Sequence, residues 1–266
     1  MEDIRLEKAR PRHQFSDSML SEIIMPIATL IALVALWQIF TMVMKPPVWL
    51  LPSPTAVVGA AYEWREDLPF HFGITLYETL VGFVASILLG IPLAIMIVYS
   101  PLLQRTIYPI LLAFQSVPKV AIAPLLLMWV GHGEAPKMIV VFLVCFFPIV
   151  VSATSGMQAV PAALLDLVRS LSASQTQVFL KIRLPNAMPY IFVGLKVAIT
   201  LAVIGAVIGE FVGSNSGLGY LILISTQQFD TALAFTSIIL LTLMSIALFY
   251  MVEFFERVFV SWAPRQ

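Results

Sequence analysis

The sequence predicts an all-α, polytopic membrane protein with six transmembrane helices. Three observations carry this expectation. Sixty per cent of the 266 residues are apolar, and six spans of about 20 residues would use roughly 120 of them, which the length accommodates. Only 11 % of residues are charged, where a soluble domain carries about a quarter. Long apolar runs with at most two charges also recur six times along the chain. Fifteen Lys and Arg balance fifteen Asp and Glu, so no basic surplus points to nucleic acid. The sole cysteine, Cys145, lies in an apolar run and reads as a small buried hydrophobe, with neither a disulfide nor a thiolate metal site in prospect.

Residues 1–22 mix both charge signs. They lack the short basic start and small-residue cleavage site of a secretory signal, so the first span, 23–44, is expected to be retained as an anchor. A Pro-rich stretch follows, in which Ser53-Pro54 reads as the cap and first turn of a short helix lying along the membrane. The second span covers 72–100. The third, 107–131, is interrupted by Pro118, Lys119 and Pro124 and closes at GHGEAPK. The fourth, 138–157, contains no charge; a polar amphipathic stretch then occupies 158–186. The fifth span is 188–212 and the sixth 232–253, with Asp230 suited to cap the latter. One six-helix domain thus covers 23–256, flanked by tails 1–22 and 257–266. Prolines inside the spans predict kinks, since neighbouring helices can re-satisfy the freed carbonyls.

Lys and Arg concentrate on cytoplasmic loops. An inside amino terminus places Arg5, Lys8, Arg10, Arg12, Arg105, Arg169, Lys181, Arg183, Arg257 and Arg265 in the cytoplasm and leaves only Lys45, Arg65 and Lys137 outside. Both termini and the 158–186 stretch are therefore expected to be cytoplasmic. Two spans carry small residues at every fourth position: Gly82, Ser86, Gly90 and Ala94 in the second, Gly205, Gly209 and Gly213 in the fifth. Such ladders let helix backbones approach closely in lipid, either within the chain or at a seam between copies. The fifth is the better candidate for a functional interface, because it runs beside Glu210.

The 158–186 stretch is too long for a simple connector and too short for a catalytic domain. From Pro161, Leu164, Leu167, Val168 and Leu171 recur at helical spacing, with Asp166, Arg169 and Ser170 elsewhere on the surface. Ser172-Ala173 breaks the pattern. Ser174 with Gln177 makes a capping box, and Ser172 with Gln175 has the same spacing. A second short helix then presents Val178, Phe179 and Ile182 before Leu184-Pro185 stops it. Such a helix-turn-helix could rest on lipid headgroups or seat its apolar ridge in a groove of a soluble partner.

This segment, DLVRSLSASQTQVFLKIRLP, resembles the coupling motif of bacterial ABC importer permeases: EAA, three residues, Gly, nine residues, Ile, one residue, Leu-Pro. Asp166, Leu167 and Val168 stand at the EAA positions, Ser172 at the glycine, and Ile182, Leu184 and Pro185 at the end. Serine pays a steric penalty in a left-handed conformation that glycine avoids, which speaks against such a conformation at 172. LPSPTAVVGA, ETLVGF, GIPLAI, QSVPKVAIAPLLLMWVG and GEFVGSNSGLGYLI are similar to the nitrate, sulfonate and taurine branch of these permeases, so the resemblance runs over roughly residues 50–250. It implies a type I importer fold in the bacterial inner membrane and an ATPase-coupling role for Asp166, Leu167, Arg169, Leu171, Ser172, Ala173, Ser174, Ile182, Leu184 and Pro185. It further implies a second permease copy, two ATPase subunits that hold ATP and Mg, and a periplasmic solute-binding protein. No cofactor is expected in this chain. The implied cargo is nitrate, a sulfonate or taurine, or alternatively a thiamine-pyrimidine or riboflavin-type precursor. Independently of the resemblance, no G-x-x-x-x-G-K-[ST] phosphate loop occurs in the sequence.

Charges inside spans are costly and often functional. Glu78 and Lys196 lie about two turns from a membrane face and can reach it. Lys119, between two prolines and one turn after Gln115, is a candidate for the solute path and for the counter-charge of an anion. Glu210 lies some 33 Å along the fifth helix, near its outer mouth. Gln115, Lys119 and Glu210 therefore form a candidate translocation set, with a Lys119–Glu210 pair or separate snorkelling both open. His13, His71 and His132 are too scattered for a metal or acid–base site. An ion-coupled secondary transporter is the competing class, but no internal repeat or midplane carboxylate is evident.

Overall fold

The computed structural model describes residues 17–262, with side chains from residue 24 onward. Arg5, Lys8, Arg10, Arg12, His13 and Arg265 lie outside the described residues. Among the described residues, eleven α-helices follow one another: α1 (Asp17–Met44), α2 (Pro54–Glu63), α3 (Leu68–Tyr99), α4 (Pro101–Gln115), α5 (Lys119–Val130), α6 (Glu134–Gln158), α7 (Ala162–Ser170), α8 (Gln175–Val178), α9 (Leu184–Gly213), α10 (Leu218–Gln227) and α11 (Thr231–Phe259). A π-helical turn, Phe179–Arg183, joins α8 to α9. Five of these stretches are long and apolar enough to cross a membrane, and a sixth crossing results if the α4–α5 pair is one broken span.

The local signals behave as their chemistry requires. Ser53 accepts from the Ala56 N–H and opens α2 with Pro54 in its first turn. Asp230 accepts from the Leu233 N–H and opens α11. Ser174 and Gln177 close a capping box at α8, which decides between the two serines of that turn.

The core forms where α6 lies between α3 and α9. Small residues make this possible. A methyl group built on Gly82 would meet Val141 Cβ at 2.5 Å, one on Gly205 would meet Val141 Cα at 3.0 Å, and one on Gly209 would meet Lys137 Cα at 3.0 Å. Both ladders are therefore spent on packing within the chain, and the fifth-span ladder is not a seam between copies. Polar cross-links add to the close approach: Ser86 Oγ donates to Phe142 O at 3.0 Å, and buried Cys145 Sγ donates to Ala198 O at 3.2 Å.

Four expectations are corrected by the fold. The third span is two helices bent by 99° to each other rather than one kinked helix. Pro118 lacks an N–H and pushes its predecessor toward extended backbone, so the chain breaks at Ser116–Pro118. Lys137 belongs to no loop: α6 begins at Glu134, and Lys137 is 4 % exposed within the bundle. Glu78 does not reach a membrane face but is fully buried. Finally, Leu184-Pro185 does not stop the second short helix. The π turn absorbs the missing proline donor, and residues 175–213 run on as one 39-residue helical stretch.

Candidate coupling and translocation sites

Helix α7 carries the sequence-predicted ridge. Leu164, Leu167 and Leu171 are exposed, Leu167 to 56 % and Leu171 to 72 %, while Leu165 and Val168 turn half-buried toward the protein. Asp166 and Arg169 pair across one turn at 3.3 Å on the exposed surface. The helix ends in a Schellman motif: the Ala173 N–H donates to Val168 O at 3.1 Å and the Ser172 N–H to Arg169 O at 2.9 Å. This places Ser172 at φ +59°, the left-handed conformation that its serine had argued against. The two wrapped hydrogen bonds outweigh a penalty of about 1–2 kcal/mol. Of the ten predicted coupling residues, Asp166, Leu167, Arg169, Leu171, Ser172 and Ser174 are exposed. Ala173 is half-buried at the turn, and Ile182, Leu184 and Pro185 are half-buried at the base of α9.

The loop is anchored where α6 ends. Asn186 Nδ2 donates to Gly156 O at 3.1 Å and Arg183 Nη1 to Met157 O at 3.5 Å, supplying partners for last-turn carbonyls that lack intrahelical ones. Nearby, Lys196 Nζ meets Glu256 Oε2 at 2.7 Å, tying α9 to α11; helical spacing could not reveal this partner, because the glutamate lies sixty positions away.

At the opposite end of α9, Glu210 is fully buried. It accepts from Thr75 Oγ1 at 2.7 Å and from the Gly219 N–H at 2.5 Å and Tyr220 N–H at 3.3 Å. Lys119 instead donates to Gln115 O and sits 5.4 Å from the Phe147 ring centroid. The structure does not form the Lys119–Glu210 pair: Glu210 is engaged by α3 and α10, and the two groups share no partner. Gln115 and Lys119 do come together, at the α4–α5 break. Lys137, which the sequence reading set aside, instead pairs with Glu78. No signal in the sequence links those two positions, which are 59 residues apart. Among the described residues, no three His, Cys, Asp or Glu side chains group as metal ligands.

The family model of the binding-protein-dependent transport system inner membrane component matches residues 86–263. The formylaminopyrimidine transport permease ThiX of Halalkalibacterium halodurans is 32 % identical over 91 % of this chain and 96 % of its own. The riboflavin transport permease RibX of Chloroflexus aurantiacus is 32 % identical, covering 88 % of each chain. The taurine permease TauC of Escherichia coli is 25 % identical over 91 % of this chain and 90 % of its own. Among solved structures, an inward-facing form of the MetNI methionine ABC transporter superposes with a TM-score of 0.61 at 22 % identity, covering 74 % of this chain and 96 % of that one, which supports the fold. With the family model spanning two thirds of its length, the chain belongs to the binding-protein-dependent transport system inner membrane component family, the permease subunits of ABC importers.

Proposed function

We propose that α7 is the handle by which separate ATPase subunits drive this permease, with residues 158–186 and both termini on the cytoplasmic side and residues 23–256 acting as one transmembrane unit. The observation that carries this reading is the exposed leucine ridge on a helix that connects two spans. Apolar side chains that face away from their own protein bury surface worth about 25 cal/mol per Å² once a partner groove covers them. The carboxylate–guanidinium pair Asp166–Arg169 borders the ridge and would fix its register in that groove. Closure of the ATPases on ATP would move the handles of two permease copies together, and α6 and α9, joined to them by short turns, would carry the change across the membrane.

The proposed solute path passes the α4–α5 break, where Gln115 is exposed and Lys119 half-buried. Glu210 stays inside the protomer and does not enter this reading of the path. For the cargo, the higher identity to permeases named for formylaminopyrimidine and riboflavin than to the one named for taurine favours a small heteroaromatic vitamin precursor delivered by a binding protein. Uptake of labelled formylaminopyrimidine, riboflavin and taurine by cells carrying the whole importer separates these; taurine uptake alone would refute the cargo assignment.

Docking is tested by cross-linking. Cys145 is buried, so Leu171→Cys supplies a reactive thiol of its own on the exposed surface. In the assembled transporter it should link to the ATPase subunit and become protected from soluble maleimide. A thiol that remains freely labelled in an active complex would refute the handle.

A further inference from the structure

Three ionisable side chains meet inside the bundle at the end far from α7, and the proposed transport function uses none of them. Glu78 on α3 and Glu210 on α9 are fully buried, and Lys137 on α6 nearly so. Lys137 Nζ donates to Glu78 Oε1 and, at 3.1 Å, to Ser214 Oγ. The two oxygens of Glu210 receive one hydroxyl and two backbone N–H groups, an all-acceptor role that suits an ionised carboxylate. Glu78 differs. Its Oε2 is enclosed and receives no donor, while Thr75, one turn away on the same face of α3, donates to Glu210 and so brings the second carboxylate alongside.

Two charged carboxylates so placed would repel each other in a low-dielectric interior and leave the cluster one negative charge in excess of its single lysine. One proton between them removes the repulsion, brings the sum to zero and turns the orphaned oxygen into a donor. The other groups nearby do not change this count. His71 on α3 accepts the Gly217 N–H through Nδ1 at 3.0 Å, which requires that nitrogen to be unprotonated. Asp67, just before α3, and Glu134, at the start of α6, are exposed and add only solvent-screened negative charge.

We propose that Glu78 and Glu210 share a single proton, carried on Glu78, so that the Glu78–Lys137–Glu210 cluster is neutral and ionised Glu210 acts as a remote cap holding the start of α10 against α3 and α9. The backbone at that start is shaped for the task. Gly217, at φ +106°, leaves space for the Glu210 carboxylate that any Cβ would occupy, and Thr75 Oγ1 accepts the Leu218 N–H at 2.8 Å while donating to Glu210. Glu210 is thus a positioning residue for α10, and Glu78 keeps it ionised without excess charge.

The test uses the purified transporter complex with carbon-13-labelled glutamate. Infrared spectra at neutral pH should show the carbonyl stretch of a protonated, solvent-shielded glutamate, and Glu78→Gln should remove it. Glu78→Gln should otherwise assemble and transport as the parent does, because its amide N–H replaces the proposed O–H donor and its carbonyl still accepts from Lys137. Glu210→Gln should lose assembled complex, since an amide NH₂ would face N–H donors. If both carboxylates were instead charged, the parent would show no protonated-glutamate band, and if Glu210 held the proton the band would survive Glu78→Gln; either result overturns the proposal. Retention of full stability by Glu210→Gln would overturn the capping role. The infrared comparison of the parent with Glu78→Gln stands even where Glu210→Gln yields no protein.

Discussion

Between α6 and α9, Gly156, Gly194, Gly205 and Gly209 bring two helices so close that a methyl group on any of them would strike the neighbour, whereas on α7 Leu167 and Leu171 leave 56 % and 72 % of their surface uncovered. The seam is complete within one protomer. The connecting helix is not. Lipid covers the apolar outside of a span, whereas the leucine ridge of a short amphipathic helix beside an ion pair is covered either by headgroups or by a partner groove. The contrast separates residues that make the fold from residues that the fold leaves uncovered.

Mutations should divide along the same line. The largest effect is expected from Leu171→Arg, which should abolish ATP-driven uptake in reconstituted complexes while insertion, expression and thermal midpoint stay at parent values, because the cost arises only at the partner surface. Unchanged uptake would erase the contrast. Gly156→Val should do the reverse. Its Cβ would lie 2.6 Å from Tyr190 Cβ and 3.0 Å from Ala187 Cα, and overpacking of this kind costs about 1–3 kcal/mol, read as a lowered unfolding midpoint in detergent. Gly73→Val, where no atom lies within 4 Å, is the matched control and should leave the midpoint unchanged. Lys196→Met should lower the midpoint, because it leaves Glu256 without a partner in a pair whose side chains are only 23 % and 22 % exposed, and a double-mutant cycle with Glu256→Gln should show coupling between the two positions. Smallest of all, Ser172→Gly should raise the midpoint by the equivalent of at most about 1 kcal/mol, by relieving the left-handed serine, with uptake preserved. A severe loss there would assign the hydroxyl a role of its own.

Apolar runs and caps were legible because they depend on neighbours in the chain. Ser53, Asp230 and the Ser174–Gln177 box each act within three residues, and the spacing around Asp166 and Leu171 needed only helical periodicity. What escaped the sequence depends on which helices meet. Glycine ladders announce close approach without naming the partner, so Gly205 and Gly209 could be read toward a second copy when they pack on α6. Lys137 could be counted in a loop because the turn before α6 is only Gly131–Gly133, and its glutamate lies on another helix. Lys119 and Glu210 have opposite charge and comparable depth, yet each has nearer partners. Ser172 shows the remaining gap: the conformational preference of one residue pointed one way, and the cooperative closure of the helix end around it pointed the other.

The π turn at Phe179–Arg183 has a mechanical consequence. By joining α8 to α9 without a loop, it makes residues 175–213 a push-rod about 58 Å long at 1.5 Å per residue, well beyond the roughly 30 Å of a hydrocarbon core. On the proposed coupling role, a movement imposed at Gln175 would pass to Gly213 along one helical stretch broken by no loop, and any bending would concentrate at the π turn and Pro189.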